Sequence, residues 1–498
     1  MKRLATLVVS LTIVASTAAL ASHPATGSER NLHSGSTHAL IRFNGVFYSD
    51  NSPPDPLIAV NAKEVIQLTN DRYGITTREG TAISIGSSNN FTHTTSRIFL
   101  TDPQVMWDPL TNRFYYSFLA NDNPNGSPVD DGIAWGFSKT ATPHSPAGFC
   151  SYFNDFNYKS SSFPDRPSLG DTSNALLFVS QRVRDTDDAY IGSDVAWVTK
   201  PPVGTRCPSQ RSFKSGIYSL KNKDGSKLPY PYLAYPFYPV AAWQVDSGTT
   251  SWILGTPSYV SANFLTAVRV TTKNGVPVFG APQDVAVPPY AFPPAAPQAG
   301  KTKAGQPAPP LATSIVLSDM YMAYDPRVGQ NVLWTDDTVA GGAGSEIRWY
   351  ELNPSSNTTI QVGTISSNSL YYFNSSIAPD RAVYGHTSKY GSDMVITFNS
   401  SSMSTYPAMW IVGKEGGHPA LAPLRIVQSP GPNVDFSCFE PHTVTCRYGD
   451  RPGASPDPSA ATRPGSYGQV WVFNEWNEPD LNDSTPVWRT EVAWIGFS

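Results

Sequence analysis

The sequence predicts an all-β fold: a β-propeller of seven blades closed by an N-terminal strand, with six or eight blades as the alternatives. Three observations carry this expectation. The 498 residues are only 15% charged but hold 45 Pro, 37 Gly, 24 Tyr and 23 Phe, which suits short strands and many turns and leaves few aligned helix formers. A short extended run ending in a turn residue recurs seven times, at Asn61, Asp108, Asp171, Asp246, Asp325, Asp380 and Asp457. Five copies carry a later Trp in an apolar run, at Trp135, Trp197, Trp349, Trp410 and Trp494.

Within each copy the pattern reads as a hairpin followed by a third strand. The first runs are PPDPLIAVN, TDPQVMWD, PDRPSLGD, PVAAWQVD, LSDMYMAYD, FNSSIAPD and RYGDRPGASPD. The second strands are expected at Glu64–Thr69, Arg113–Leu119, Ala175–Ser180, Ser251–Leu254, Asn331–Thr335, Met394–Phe398 and Gln469–Asn474, each rich in β-branched or aromatic residues. The Trp-bearing runs supply five third strands; FLTAVRV serves in the fourth copy and Tyr73–Thr76 in the first. A repeat of about 66 residues fits a four-stranded blade with long loops. It is too strand-rich for a helical solenoid.

The ends and the interruptions complete the plan. Residues 1–21 have a basic start, an apolar centre and Ala19-Leu20-Ala21, the marks of a secretory signal peptide. Residues 22–37 are expected to be a flexible segment, and 38–498 a single propeller domain. The last copy ends after its third strand, and His38–Tyr48 alternates as a strand, so it is expected to complete that blade and close the ring. A Pro-rich irregular loop is expected at about 287–311, between the fourth and fifth copies.

Export implies an oxidising setting. Four cysteines allow three pairings, of which Cys150–Cys207 with Cys438–Cys446 is preferred. A net charge of -4 gives no basic field for nucleic acid. Outside the leader no run approaches the roughly 20 apolar residues of a membrane helix. The expected partners are an extracellular glycan, a small ligand or a protein, met by a secreted monomer.

Several short motifs resemble a family of secreted bacterial β-propellers, most without an assigned function. They are Pro53-Pro54-Asp55 with Ala59-Val60, Asp102-Pro103 with Asp108 and Arg113-Phe114, Arg348–Leu352, and Arg447-Tyr448-Gly449-Asp450 before Asp457-Pro458. The order of the motifs carries the likeness, which spans most of the mature chain. At its Gly-Asp step the chain departs from the family pattern, with Arg451-Pro452 intervening. In general shape the sequence is also similar to sialidase-type propellers. The Ser-x-Asp-x-Gly-x-Thr-Trp box is absent, and so is an early Arg-Ile-Pro segment, so sialidase activity is not expected.

The candidate site comes from counting. Six residues before each turn residue stand Asp55, Asp102, Asp165, Val240, Asp319, Asn374 and Arg451, with Asp450 one step away. Inner strands of a propeller start on one end of its axis, so these side chains are expected to ring one channel mouth, with Arg166 and Arg447 beside them. Such a ring suits a cationic ligand. Asp55, Asp102, Asp165 and Asp319 would be the ligands of an axial divalent cation, Ca2+ above all. The bland alternative is that each Asp caps its own strand start.

Other signals are weaker. Trp476-Asn477-Glu478-Pro479 matches a string found in (β/α)8 glycosidases, but no strand-helix alternation accompanies it. Asp185–Asp188, His386, the six Asn-x-Ser/Thr sequons and the cluster of Tyr230, Tyr232, Tyr235 and Tyr238 each have a structural explanation beside the functional one. The expected function is a ligand-, glycan- or protein-binding or scaffold module acting through the acid-ringed mouth. The alternative is an extracellular polysaccharide hydrolase or lyase using the same carboxylates.

Overall fold

The computed structural model describes residues 36–47, 51–122, 131–159, 162–202, 204, 206–220, 237–246, 250–256, 261–313, 317–381, 390–439, 444–459, 470–478, 483 and 485–497. The expected signal peptide, His386 and the whole Tyr230–Tyr235 stretch lie outside them. Residues 35–498 form one compact unit.

Among the described residues, 28 strands fall into four-stranded antiparallel units, five of them separate sheets and two, the fourth and fifth, joined into one eight-stranded sheet by a parallel pairing at Ala242–Met320 and Trp243–Tyr321. The first contains β2 (Leu57–Val60), β3 (Glu64–Leu68), β4 (Arg72–Thr77) and β5 (Ala82–Ser87), followed by the short helix α1 (Ser88–Thr92). The second has β6 (Ile98–Asp108), β7 (Arg113–Asp122), β8 (Asp131–Ser138) and β9 (Phe149–Lys159). Next come β10 (Ser162–Asp171), β11 (Ala175–Arg184), β12 (Tyr190–Thr199) and β13 (Ser215–Ser219). The fourth unit is β14 (Phe237–Trp243), β15 (Ser251–Thr256), β16 (Ala262–Lys273) and β17 (Val276–Tyr290). The fifth is β18 (Met320–Asp325), β19 (Gln330–Gly341), β20 (Gly344–Asn353) and β21 (Thr358–Ile365). The sixth is β22 (Tyr371–Pro379), β23 (Met394–Ser402), β24 (Thr405–Lys414) and β25 (Leu424–Gln428). The last joins β26 (Gly453–Pro456), β27 (Val470–Asn477) and β28 (Trp488–Phe497) to β1 (Thr37–Asn44).

The fold is a β-propeller. Each first strand packs on the next, β2 on β6, β6 on β10, β10 on β14, β14 on β18, β18 on β22, β22 on β26 and β26 back on β2. These inner strands are almost wholly buried, so they read as continuous apolar runs rather than alternating ones. The ring is closed as the sequence suggests: Thr37 stands opposite Phe497 and Asn44 opposite Glu491. Of the recurrent tryptophans, Trp135, Trp349 and Trp494 are buried, the first stacked on Tyr152 and the last on Trp471, while Trp197 and Trp410 are half-buried. Both preferred disulfides, Cys150–Cys207 and Cys438–Cys446, are present. No helix among the described residues is long and apolar enough to cross a membrane.

The segment 287–311 is less irregular than its prolines suggest. Its first residues continue β17 to Tyr290, and the remainder is pinned by Ala296–Leu311 pairing and by reciprocal bonds in which Ala312 N–H donates to the Cys446 carbonyl and Cys446 N–H to that of Pro310. Ala296, Ala308 and Leu311 bury themselves against Phe373, Val434, Tyr448 and the Cys438–Cys446 bridge. Apolar burial therefore fixes this loop behind the Arg447–Asp450 corner.

Candidate functional site

The inner strands are bent at the same place. Asp55, Asp102, Arg166, Tyr238 and Asn374 all have φ between 45° and 50°. The ladder skips there, between Thr101 and Gln104, Asp165 and Ser168, Phe237 and Val240, and Phe373 and Ser376. Pro56, Pro103, Pro167 and Pro239 follow four of these residues. A proline has no N–H for the ladder, so the strand bulges and re-aims the residue before it. Asp and Asn tolerate the left-handed region; Arg166 and Tyr238 are held there against their preference.

This geometry collects the expected residues. Asp55, Asp102, Asp165, Arg166, Arg447 and Asp450 line one cleft of about 480 Å³, together with Arg451, Tyr238, Asn70, Asn121, Phe99 and Phe163. Asp319 and Asn374 line a small adjoining cavity, which shares Arg166, Asp450 and Arg451 with the cleft and has about 10 Å³ of room, near the space of one water. Val240 is not at the mouth. It is buried in the core, because the turn in that unit is taken by Gln244 (φ 58°) rather than Asp246, and Tyr238 becomes the equivalent bulge residue.

Asn70 organises one wall. Its amide donates to the Pro53 carbonyl (2.7 Å) and to Asp55 Oδ2 (3.1 Å), and its Oδ1 accepts from Asp102 N–H (2.8 Å) and the Thr101 hydroxyl (3.0 Å). The first unit is thus keyed to the bulge that aims Asp102. Asp55 Oδ1 accepts from Asp450 N–H at 3.0 Å, which joins the last unit to the first. Arg447 holds Asp450 at 2.6 Å.

The environments push the carboxyls apart. Burial, aided by Asp450 and Asp102, raises Asp55 to about 7 against the pull of Arg447 and Arg166. Burial and Asp102 raise Asp165 to about 6. Burial raises Asp319 to about 7, opposed by Arg451 and Arg166. Asp450 is the opposite case: burial works against its charge, but Arg447 and Arg166 hold it below the usual range.

The ring divides into used and unused groups. Asp55 and Asp450 are tied into the wall. Among the described residues no hydrogen bond reaches the carboxylates of Asp102 or Asp165, and Arg166 Nη2, Asn121 Oδ1 and Asn374 Oδ1 are buried without a partner. The Arg166 guanidinium lies 5.2 Å over the Tyr238 ring.

The axial ion expected from Asp55, Asp102, Asp165 and Asp319 finds a different arrangement. Arg451 of the last unit reaches the third, donating to the carbonyls of Pro167 (3.2 Å) and Arg166 (3.0 Å), so a protein cation spans the ring. No group of three or more His, Cys, Asp or Glu side chains among the described residues converges as metal ligands do.

The weaker motifs resolve as structure. Asn477 of the glycosidase-like string donates to the carbonyls of Gly431 and Pro432, and Glu478 pairs with Arg489 at 2.6 Å on the surface. Asp187 pairs with Arg184 in an exposed turn. Sequence reasoning missed Asn70, Phe99, Asn121 and Phe163, which lie off the counted positions. The bulges themselves had a readable sign, a proline after the aimed residue in four inner strands and again at Arg451-Pro452.

No protein-family model matches the chain, so the family resemblance rests on its short motifs alone, and no curated protein matches it either. Similar solved structures include Trypanosoma rangeli sialidase in complex with the inhibitor DANA (TM-score 0.37, 9% identity, 92% of this chain and 59% of that one). Others are the parainfluenza virus 5 hemagglutinin-neuraminidase ectodomain (0.38, 10%, 78% and 84%) and a quinohemoprotein alcohol dehydrogenase from Comamonas testosteroni (0.35, 10%, 88% and 66%). The chain thus spans 59% of the length of the sialidase. Likeness at this level carries no functional information.

Proposed function

We propose that the chain is an extracellular, seven-bladed propeller that binds a neutral saccharide in its mouth cleft. One observation carries this: Asp102 and Asp165 line a cavity of about 480 Å³ and accept no hydrogen bond from the described residues. Both side chains are half-buried and open to the cleft, and a hydroxyl-rich ligand brings donors for them. The charges favour neutrality. Four Asp face three Arg in the lining, and with Asp55 at about 7 and Asp165 at about 6 the cleft carries little net charge near neutral pH. Phe163 adds an apolar face for the C–H side of a sugar ring. The leader-like residues 1–21 and the two disulfides fit an extracellular setting.

Calorimetric titration of the full chain with neutral saccharides tests the reading. Asp102→Asn combined with Asp165→Asn is expected to weaken binding at least about tenfold, since each exchange replaces an acceptor oxygen with an amide NH2. Unchanged affinity in that variant sinks the assignment.

A second reading, a glycoside hydrolase working from this cleft, is favoured by the split between Asp165, held up at about 6, and Asp450, held below the usual range. Acid/base pairs show such a split. Reducing ends released by the full chain and lost in Asp165→Asn would put this reading first.

A further inference from the structure

The cleft does not end at its rim. A second groove of about 300 Å³ has Asn70 and Phe99 as walls in common with it, and is otherwise lined by Ser88, Asn89, Ser96 and Ile98 among others. We propose that the two cavities form one elongated site for a linear, neutral oligosaccharide, with the mouth cleft taking one end of the chain and the groove between α1 and β6 taking its continuation. The inference rests on the saccharide reading above.

Each cavity alone has the scale of a small-molecule site, which begins at about 300 Å³. The common wall is built for passage rather than closure. Phe99 is 48% exposed on β6, an apolar face at the crossing point. Directly opposite it in the β6–β7 register stands Asn121, whose buried Oδ1 has no partner and lines the mouth cleft. An aromatic face with an unmet acceptor beside it suits a sugar ring, whose C–H face is apolar and whose edge carries hydroxyls.

Asn70 cannot swing away to block the passage, since all its amide positions are engaged as described. Among the described residues the lining of the second groove has no Lys or Arg, and its single charged residue is Asp71. That lining disfavours nucleic acid and anionic polymers and matches the low net charge of the mouth.

The test is a ladder of linear neutral oligosaccharides from one to six units, drawn from gluco-, manno- and xylo-series and titrated calorimetrically into the full chain. In the series that binds, affinity is expected to rise about tenfold or more between di- and tetrasaccharide. Ser96→Trp, which fills only the second groove, removes that gain and leaves disaccharide affinity unchanged. Phe99→Ala removes the gain as well, at an unchanged melting temperature, and Phe99→Tyr restores it.

Length-independent affinity in the wild type, or a length gain that survives Ser96→Trp, overturns the extension. The mouth assignment stands in that case if the Asp102→Asn, Asp165→Asn variant still loses binding. No binding of any ladder to the wild type removes the saccharide reading itself, and the extension with it.

Discussion

The two ends of the inner strands carry the same residue type to opposite ends of the fold. At the turn end every counted residue has a protein partner, although Asp380 keeps one buried oxygen, Oδ2, without one among the described residues. Lys200 bridges Asp108 (2.7 Å) and Asp171 (2.8 Å), Arg78 grips Asp457 with both arms, Arg327 holds Asp325, and Arg381 holds Asp246 at 2.8 Å. Asp380 Oδ1 accepts from the N–H groups of Gly391 and Asp393, and Asn61 Oδ1 from those of Lys63 and Glu64. Six residues back, at the mouth, Asp102 and Asp165 accept no hydrogen bond from the described residues. The contrast teaches that residue type at a repeat position does not divide structural from functional carboxylates. The supply of donors does.

That contrast is most exposed to Lys200→Ala. Removing the cation strands two buried carboxylates, so denaturant unfolding is expected to show a loss of about 3–5 kcal/mol. A loss below about 1 kcal/mol would mean that the turn-end pairs hold little, and the comparison breaks.

Asn70→Ala comes next. Four hydrogen bonds go, two of them from the bulge that aims Asp102, and a stability loss of about 1–3 kcal/mol should accompany weakened saccharide binding. Full binding in a destabilised variant would show that the wall does not aim the carboxylate.

Asp319→Asn sharpens the picture through pH. The folded protein holds the Asp319 proton up to about 7, whereas the unfolded chain releases it near 3.8. Stability from this group is full below about pH 4 and is lost as pH rises to about 7, because the folded state binds more protons in that window. The amide is therefore expected to stabilise on the order of 1 kcal/mol at pH 8 and not at pH 4, as read by melts at both values. Equal effects at the two pH values would refute the burial argument.

The smallest stability change is expected at the mouth itself. Asp102→Asn should alter unfolding by under about 0.5 kcal/mol while binding falls; Asp165, held up at about 6 by burial, follows the pH pattern of Asp319 instead. A large destabilisation in Asp102→Asn would move that residue to the saturated class.

Much of the architecture was legible because the repeat imposes it. Runs such as LIAV and MYMAYD announce buried inner strands, and Trp135 or Trp494 marks the third strand wherever an aromatic must fill the space between sheets. Counting worked where the turn residue was correctly identified and failed once, at Val240, because Gln244 turns the chain two residues before the Asp that was counted. Asn70 and Asn121 were illegible for a different reason. Their meaning lies in contacts across sheets, which no local pattern records. The charge balance was likewise hidden: Arg451 stood in the sequence as a break in a familiar motif, and only its reach to the carbonyls of Arg166 and Pro167 gives it a role.

The pairing of β1 with β28 has a consequence for how the molecule is made. The segment that completes the final sheet precedes every other described strand and its partner follows them all, so it has no edge to join until β28 has been made. Until then the nascent protein is an open arc with two exposed sheet borders, vulnerable to association with its neighbours. A chain cut short before Trp488 lacks that partner and cannot close the ring.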